Sequence, residues 1–122
     1  MRLALESDPN IHLVRSYGQG VVIIGEESLS QPFVVSPQTL LREWQVTAVS
    51  TLDAAQFEPL LATGAGIVLL GAGETQPMPS AEIRKLCRAR GVAMECMNLG
   101  AACRTYNILA GEHRAVVAGL FP

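Results

Sequence analysis

A chain of 122 residues with 49% hydrophobic and 16% charged side chains is long enough to bury a hydrophobic core and too apolar to stay disordered. A single domain spanning residues 1–122 is expected. Aromatic residues make up only 5%, so the core is expected to be chiefly aliphatic, and the stacking platforms of a single-strand nucleic-acid binder are not expected. The formal charge of −2 divides unevenly: residues 1–83 carry three basic and nine acidic side chains, residues 84–122 six and two. A basic C-terminal third would suit an acidic or phosphate-bearing partner if the fold keeps those charges together.

The first ten residues contain an early acid, Glu6, and no long apolar run. Neither a secretory signal nor an acid-poor transit peptide is expected, and runs such as residues 21–24 are too short to cross a bilayer. Residues 11–15, 20–24 and 29–35 read as three strands of an antiparallel meander. The residues between them, Tyr17-Gly18-Gln19-Gly20 and Gly25-Glu26-Glu27, suit turns. Pro32 cannot donate to a ladder, which puts it at an edge or a bulge. Ser36-Pro37 has the form of an N-cap followed by a first-turn proline, predicting a short helix on which Leu40, Leu41 and Trp44 form an apolar patch.

Residues 46–50 suggest another strand. Asp53 with Gln56 then forms a capping box, Leu52 and Phe57 form a hydrophobic staple, and Pro59 is expected to interrupt the helix they begin. Beyond it the pattern alternates: strand 66–70, helix 80–90 stopped by Gly91, strand 92–97, helix 99–110 and strand 114–121, the rhythm of βαβ units. On the last helix Leu99, Ala102, Cys103, Tyr106, Leu109 and Ala110 share one apolar stripe, which leaves Arg104, Thr105 and Asn107 as a candidate surface.

Chemistry is sparser. Gly71-Ala72-Gly73 follows a strand as a phosphate loop would. The third glycine of a dinucleotide fingerprint would fall at Gln76, however, and Pro77-Met78-Pro79 separates the loop from the next helix. If the strands before Gly71 and Asn98 are parallel neighbours, Gly71, Gly73, Gln76, Asn98 and Gly100 lie along one sheet edge. Arg104, Thr105 and Asn107 would follow them, a place where small anions bind in open α/β sheets. The competing reading is that Asn98 and Gly100 only cap the helix. Cys87, Cys96 and Cys103 lack metal-ligand spacing and are odd in number, so reduced thiols in a cytoplasmic setting are expected. Cys103 has a helix dipole and Arg104 beside it, yet it lies on the apolar stripe, which favours a buried structural thiol. Glu95 falls at an interior strand position, and Glu74 is a loop carboxylate without a partner. No catalytic set, metal site or cofactor emerges. Arg84, Lys85, Arg88 and Arg90 form the solvated face of a helix, with nucleic-acid binding as their less favoured use.

Several segments together resemble a known family. They are Tyr17-Gly18, Gly25, the stretch from Pro37 to Trp44, Leu69-Leu70-Gly71-Ala72-Gly73, Ala101-Ala102-Cys103-Arg104-Thr105-Tyr106-Asn107, and the closing strand to Pro122. The chain resembles, over nearly its whole length, the small α/β domains that include the mitochondrial NADH:ubiquinone oxidoreductase (complex I) assembly factors and prokaryotic relatives. That resemblance implies a three-layer α/β/α fold with a mixed central sheet and an N-terminal antiparallel β element. It carries no agreed catalytic set. Relatives often place an acidic residue and Thr where this chain has Asn98 and Leu99, a departure that weighs against acid-base chemistry there. The expected function is therefore a protein-interaction or assembly module with a protein partner. The alternative is a small-molecule, anion-binding protein or enzyme using the strand-end crevice.

Overall fold

The computed structural model describes residues 1, 3 and 10–122; most of the segment read above for targeting signals therefore lies outside the described residues. Strands β1 (Val14–Gly18), β2 (Val21–Ile24) and β3 (Glu27–Leu29) form an antiparallel three-stranded sheet. Gln19 and Gly20, both at positive φ, close the first hairpin, the backbone that the right-handed twist of the strands favours. Along β2 the buried residues are Val22 and Ile24, so the meander presents one apolar face inward.

The expected third strand is in fact two. Leu29 ends β3, and after Ser30-Gln31-Pro32 the chain enters a different sheet as β4 (Phe33–Val35). Pro32 marks the crossing, where no ladder amide is required. The helix expected after Ser36 is also absent. Ser36 Oγ does accept the Thr39 N–H, at 3.1 Å, but the Ser36 N–H donates to Thr39 C=O at 2.9 Å and closes a hairpin into β5 (Leu40–Leu41). Residues 46–50 form no strand; they lead into one turn of 3₁₀ helix, Val49–Thr51. Val49 and Leu52, three apart, are both buried there.

The second sheet has five strands in the order β5-β4-β8-β6-β7, where β6 is Ile67–Ala72, β7 Ala93–Met97 and β8 Val116–Phe121. β6 runs parallel to both β7 and β8, whereas β4 is antiparallel to β8 and to β5, so the sheet is mixed. β7 is an edge strand, and Glu95 is exposed on it instead of interior.

Helices cover both faces. Against one pack α1 (Ala54–Leu61) and α2 (Ala81–Ala89), around Phe57, Leu60, Val68, Leu70, Ile83 and Trp44. Against the other pack α3 (Leu99–Gly111) and the meander, around Val14, Val22, Phe33, Leu69, Tyr106 and Leu120. Each helix starts on a side chain that accepts an otherwise unpaired amide: Asp53 from Gln56, Ser80 from Ile83, and Asn98 from Ala101. Pro59 does not interrupt α1. It removes one donor from the ladder, and the helix closes past it with Ala62 N–H on Glu58 C=O at 2.8 Å.

Candidate functional site

α3 holds most of the candidate residues, and its geometry follows from how closely it meets β6. Gly71 is buried near the end of that strand. A Cβ placed there would stand 2.3 Å from Ala102 Cβ and 3.1 Å from Leu120 Cδ2. The glycine is thus required by helix-sheet approach, and a ligand cannot occupy the same space. Gly73, at φ +66°, is exposed, and its C=O accepts the Leu99 N–H at 3.0 Å, tying the loop after β6 to the start of α3.

Asn98 Oδ1 accepts the Ala101 N–H at 2.8 Å, the capping role weighed for it above. Gly100 lies under the ring of Tyr17, whose hydroxyl would be 2.8 Å from a Cβ at that position. Arg104 is exposed and its Nη1 donates to the same Tyr17 hydroxyl. Thr105 is half-buried beside it. Tyr17 is therefore a member of this corner that helix periodicity had no means of finding, because it arrives from a strand 87 residues earlier.

Two candidates lie elsewhere. Asn107, expected at the surface, is 7% exposed: its Oδ1 accepts the Val14 N–H and its Nδ2 donates to Val14 C=O, both at 2.8 Å. It serves as a side-chain clamp between α3 and β1, because the meander covers the flank of the helix that the apolar stripe left open. Gln76 lines a groove of about 430 Å³ on the opposite face of the sheet, together with Met78, Arg84, Cys87, Met94 and Cys96. The structure thus joins Gly100 and Arg104 through Tyr17, and Gly73 to the start of α3 through the Leu99 amide. It sets Gln76 and Asn107 apart from them.

The reactive-looking groups of α3 are turned inward. Cys103 is fully buried, and burial pushes its thiol up to about 12 despite the opposing charge of Arg104. Tyr106 is also buried, which raises its hydroxyl pKa, and it donates to His12 C=O at 2.7 Å. Cys96 is pushed up to about 11, first by burial and then by the neighbouring Cys87 and Glu95. At neutral pH these three groups are protonated and poor nucleophiles. Among the described residues no three His, Cys, Asp or Glu side chains gather as metal ligands would.

The architecture so defined is a mixed-sheet α/β fold with an antiparallel meander clasped to its last helix. The chain belongs to the family described as "Protein of unknown function (DUF498/DUF598)", whose model matches residues 14–121. An NMR structure of a Xanthomonas campestris protein is similar at 33% identity with a TM-score of 0.83, covering 99% of this chain and 92% of that one. A Francisella tularensis protein named "13 kDa major membrane protein" is 29% identical over 84% of each chain. The "NADH dehydrogenase [ubiquinone] 1 alpha subcomplex assembly factor 3" of Xenopus tropicalis is 28% identical over 99% of this chain. The chain spans only 66% of that assembly factor's length. Among the described residues no helix is long and apolar enough to cross a membrane.

Proposed function

We propose that the chain is a non-enzymatic protein-interaction module that helps a larger protein complex assemble. One observation carries this reading: three of the polar or titratable side chains of α3 are engaged in the fold itself. Asn107 clamps β1, Tyr106 bonds the His12 carbonyl, and Cys103 is sealed in the core. The similarity to proteins named as assembly factors supports a protein as the partner. The contact surface runs along the first half of α3, where Arg104 and Thr105 adjoin Gly100, Asn98 and Gly73, and Tyr17 orients the guanidinium. Gly71 shapes this surface from beneath; Asn107 fixes the helix that bears it.

The test is capture of the tagged protein's partners from native extract beside an Arg104→Glu variant, with retained proteins identified by mass spectrometry. Arg104 is exposed, so the charge reversal leaves the core intact. A stoichiometric protein held only by the unaltered chain is the expected result. Identical retention by both chains would remove this surface, and a blank with both would remove the reading itself.

A further inference from the structure

The five-stranded sheet has two edges, and they are guarded differently. β5 is two residues long, a length that offers an incoming strand almost nothing. β7 is five residues long, contains neither proline nor lysine, and is paired on one side only, to β6. Ala93 N–H donates to Gly66 C=O at 3.0 Å, and Ala93, Glu95 and Met97 stand opposite Ile67, Leu69 and Gly71. Backbone groups alternate sides along a strand, so the amides and carbonyls of Met94 and Cys96 point to the open edge.

The same two residues line the groove against α2, with Cys87 in its wall and Met78, 62% exposed, over it. Methionine and cysteine make an adaptable apolar surface that moulds itself to differing side chains. Arg84 and Arg88 also line the groove, one helical turn apart, and both are exposed. Among the described residues the salt bridges engage Arg42 and Arg90, and neither Arg84 nor Arg88 has such a partner.

We propose that β7 and this groove dock an extended segment of a partner protein, which adds as a sixth strand and places carboxylates against Arg84 and Arg88. The backbone of Met94 and Cys96 supplies the hydrogen bonds, and alternate side chains of the segment fill the sulfur-lined floor. A second copy of this chain fits less well. Two-fold antiparallel pairing of β7 with itself would bring α2 beside α2 and set the basic pair of each copy against the other. The proposal rests on the reading of the chain as a protein-interaction module and gives that reading a second surface, on the face opposite Arg104.

The test selects strand-length peptides from a random displayed library with the purified chain, then measures the winners by fluorescence anisotropy and amide hydrogen exchange. Expected are acidic, alternately apolar peptides that protect the Met94 and Cys96 amides. Arg84→Glu/Arg88→Glu should weaken them about tenfold, as two exposed charge pairs would, and should redirect selection toward basic peptides. The proposal is overturned by winners no tighter than their scrambled versions, by protection that avoids β7, by a β7-paired dimer in ultracentrifugation, or by steeply salt-dependent retention on polyanions in place of peptide binding. Extract capture separates the two readings. Partners lost with Arg104→Glu but kept with Arg84→Glu/Arg88→Glu would uphold the module and remove this groove.

Discussion

Replacing Asn107 should do more damage than any exposed residue of α3, and the structure gives the size of the effect. Val14 is fully buried, and both its N–H and its C=O are bonded to the Asn107 carboxamide at 2.8 Å. In Asn107→Ala both groups lose their partner at a site without free access to water. A buried backbone group left unpaired costs about 1–3 kcal/mol, so the pair amounts to about 4 kcal/mol, a large share of the stability of a small domain. The melting temperature should fall by about 15 °C. Asn107→Asp refines the test. An ionised Asp still accepts the Val14 N–H but sets its second oxygen against Val14 C=O, where a donor is needed; a protonated Asp restores that donor. Burial and the facing carbonyl therefore raise the carboxyl's folded pKa above its unfolded value. For a raised acid, the stabilising contribution is full below the unfolded pKa and is lost as pH rises through the folded one. Asn107→Asp should thus approach the parent at acid pH and fall away toward neutrality, by at most about 1.4 kcal/mol per pH unit. Urea denaturation across that range, with the parent curve subtracted, reads it directly. A loss under about 1 kcal/mol for Asn107→Ala, or a pH-independent difference for Asn107→Asp, would refute the clamp.

Gly71→Ala should destabilise by about 3 kcal/mol through overpacking against Ala102. Adding Ala102→Gly should recover all but the roughly 1 kcal/mol cost of a helical glycine, and a double-mutant cycle showing no coupling would contradict the close approach. Cys103, with its thiol pushed up to about 12, should resist alkylation in the native protein at neutral pH and react once the chain is unfolded; rapid native labelling at that residue would show an open site. Trp44 is the single tryptophan, buried with its Nε1 donating to Gln56 C=O and its ring tilted 55° against Phe121. Its emission should be blue-shifted and resist acrylamide quenching, then move red on unfolding; a red, readily quenched native spectrum would mean that the Trp44 contact with Phe121 is open.

What the residues announced in advance was mostly local. The Asp53-Gln56 box and the apolar strand before Gly71 each depend on neighbours within a few positions and stand as expected, and at Asn98 the capping alternative is the one observed. Ser36-Pro37 misled because a Ser-to-amide bond three residues on is common to a helix cap and a hairpin loop. Only the pairing of Leu40 and Leu41 with β4 decides between them. Residues 29–35 read as one strand because alternation carries no mark of which sheet a residue joins. Asn107 sits off the apolar stripe by helical angle and is nonetheless buried, since its partner lies 93 residues away. Tyr17 was read as a turn residue and as part of the family resemblance, and its place beside α3 was not legible for the same reason: Arg104 reaches it across the fold and not along the helix.

During synthesis the meander leaves the ribosome before α3 does, and the side chains that fasten it, Tyr106 and Asn107, are translated more than 90 residues after the His12 and Val14 backbone groups they bond. Its neighbour β4 likewise waits for β8, since Phe33 pairs with Leu120. Until then these strands present unpaired edges and an uncovered apolar face, the state most exposed to aggregation or to a chaperone's attention. The meander is therefore made well before the helix that secures it, and a ribosome stalled before Asn107 would display it without its clamp.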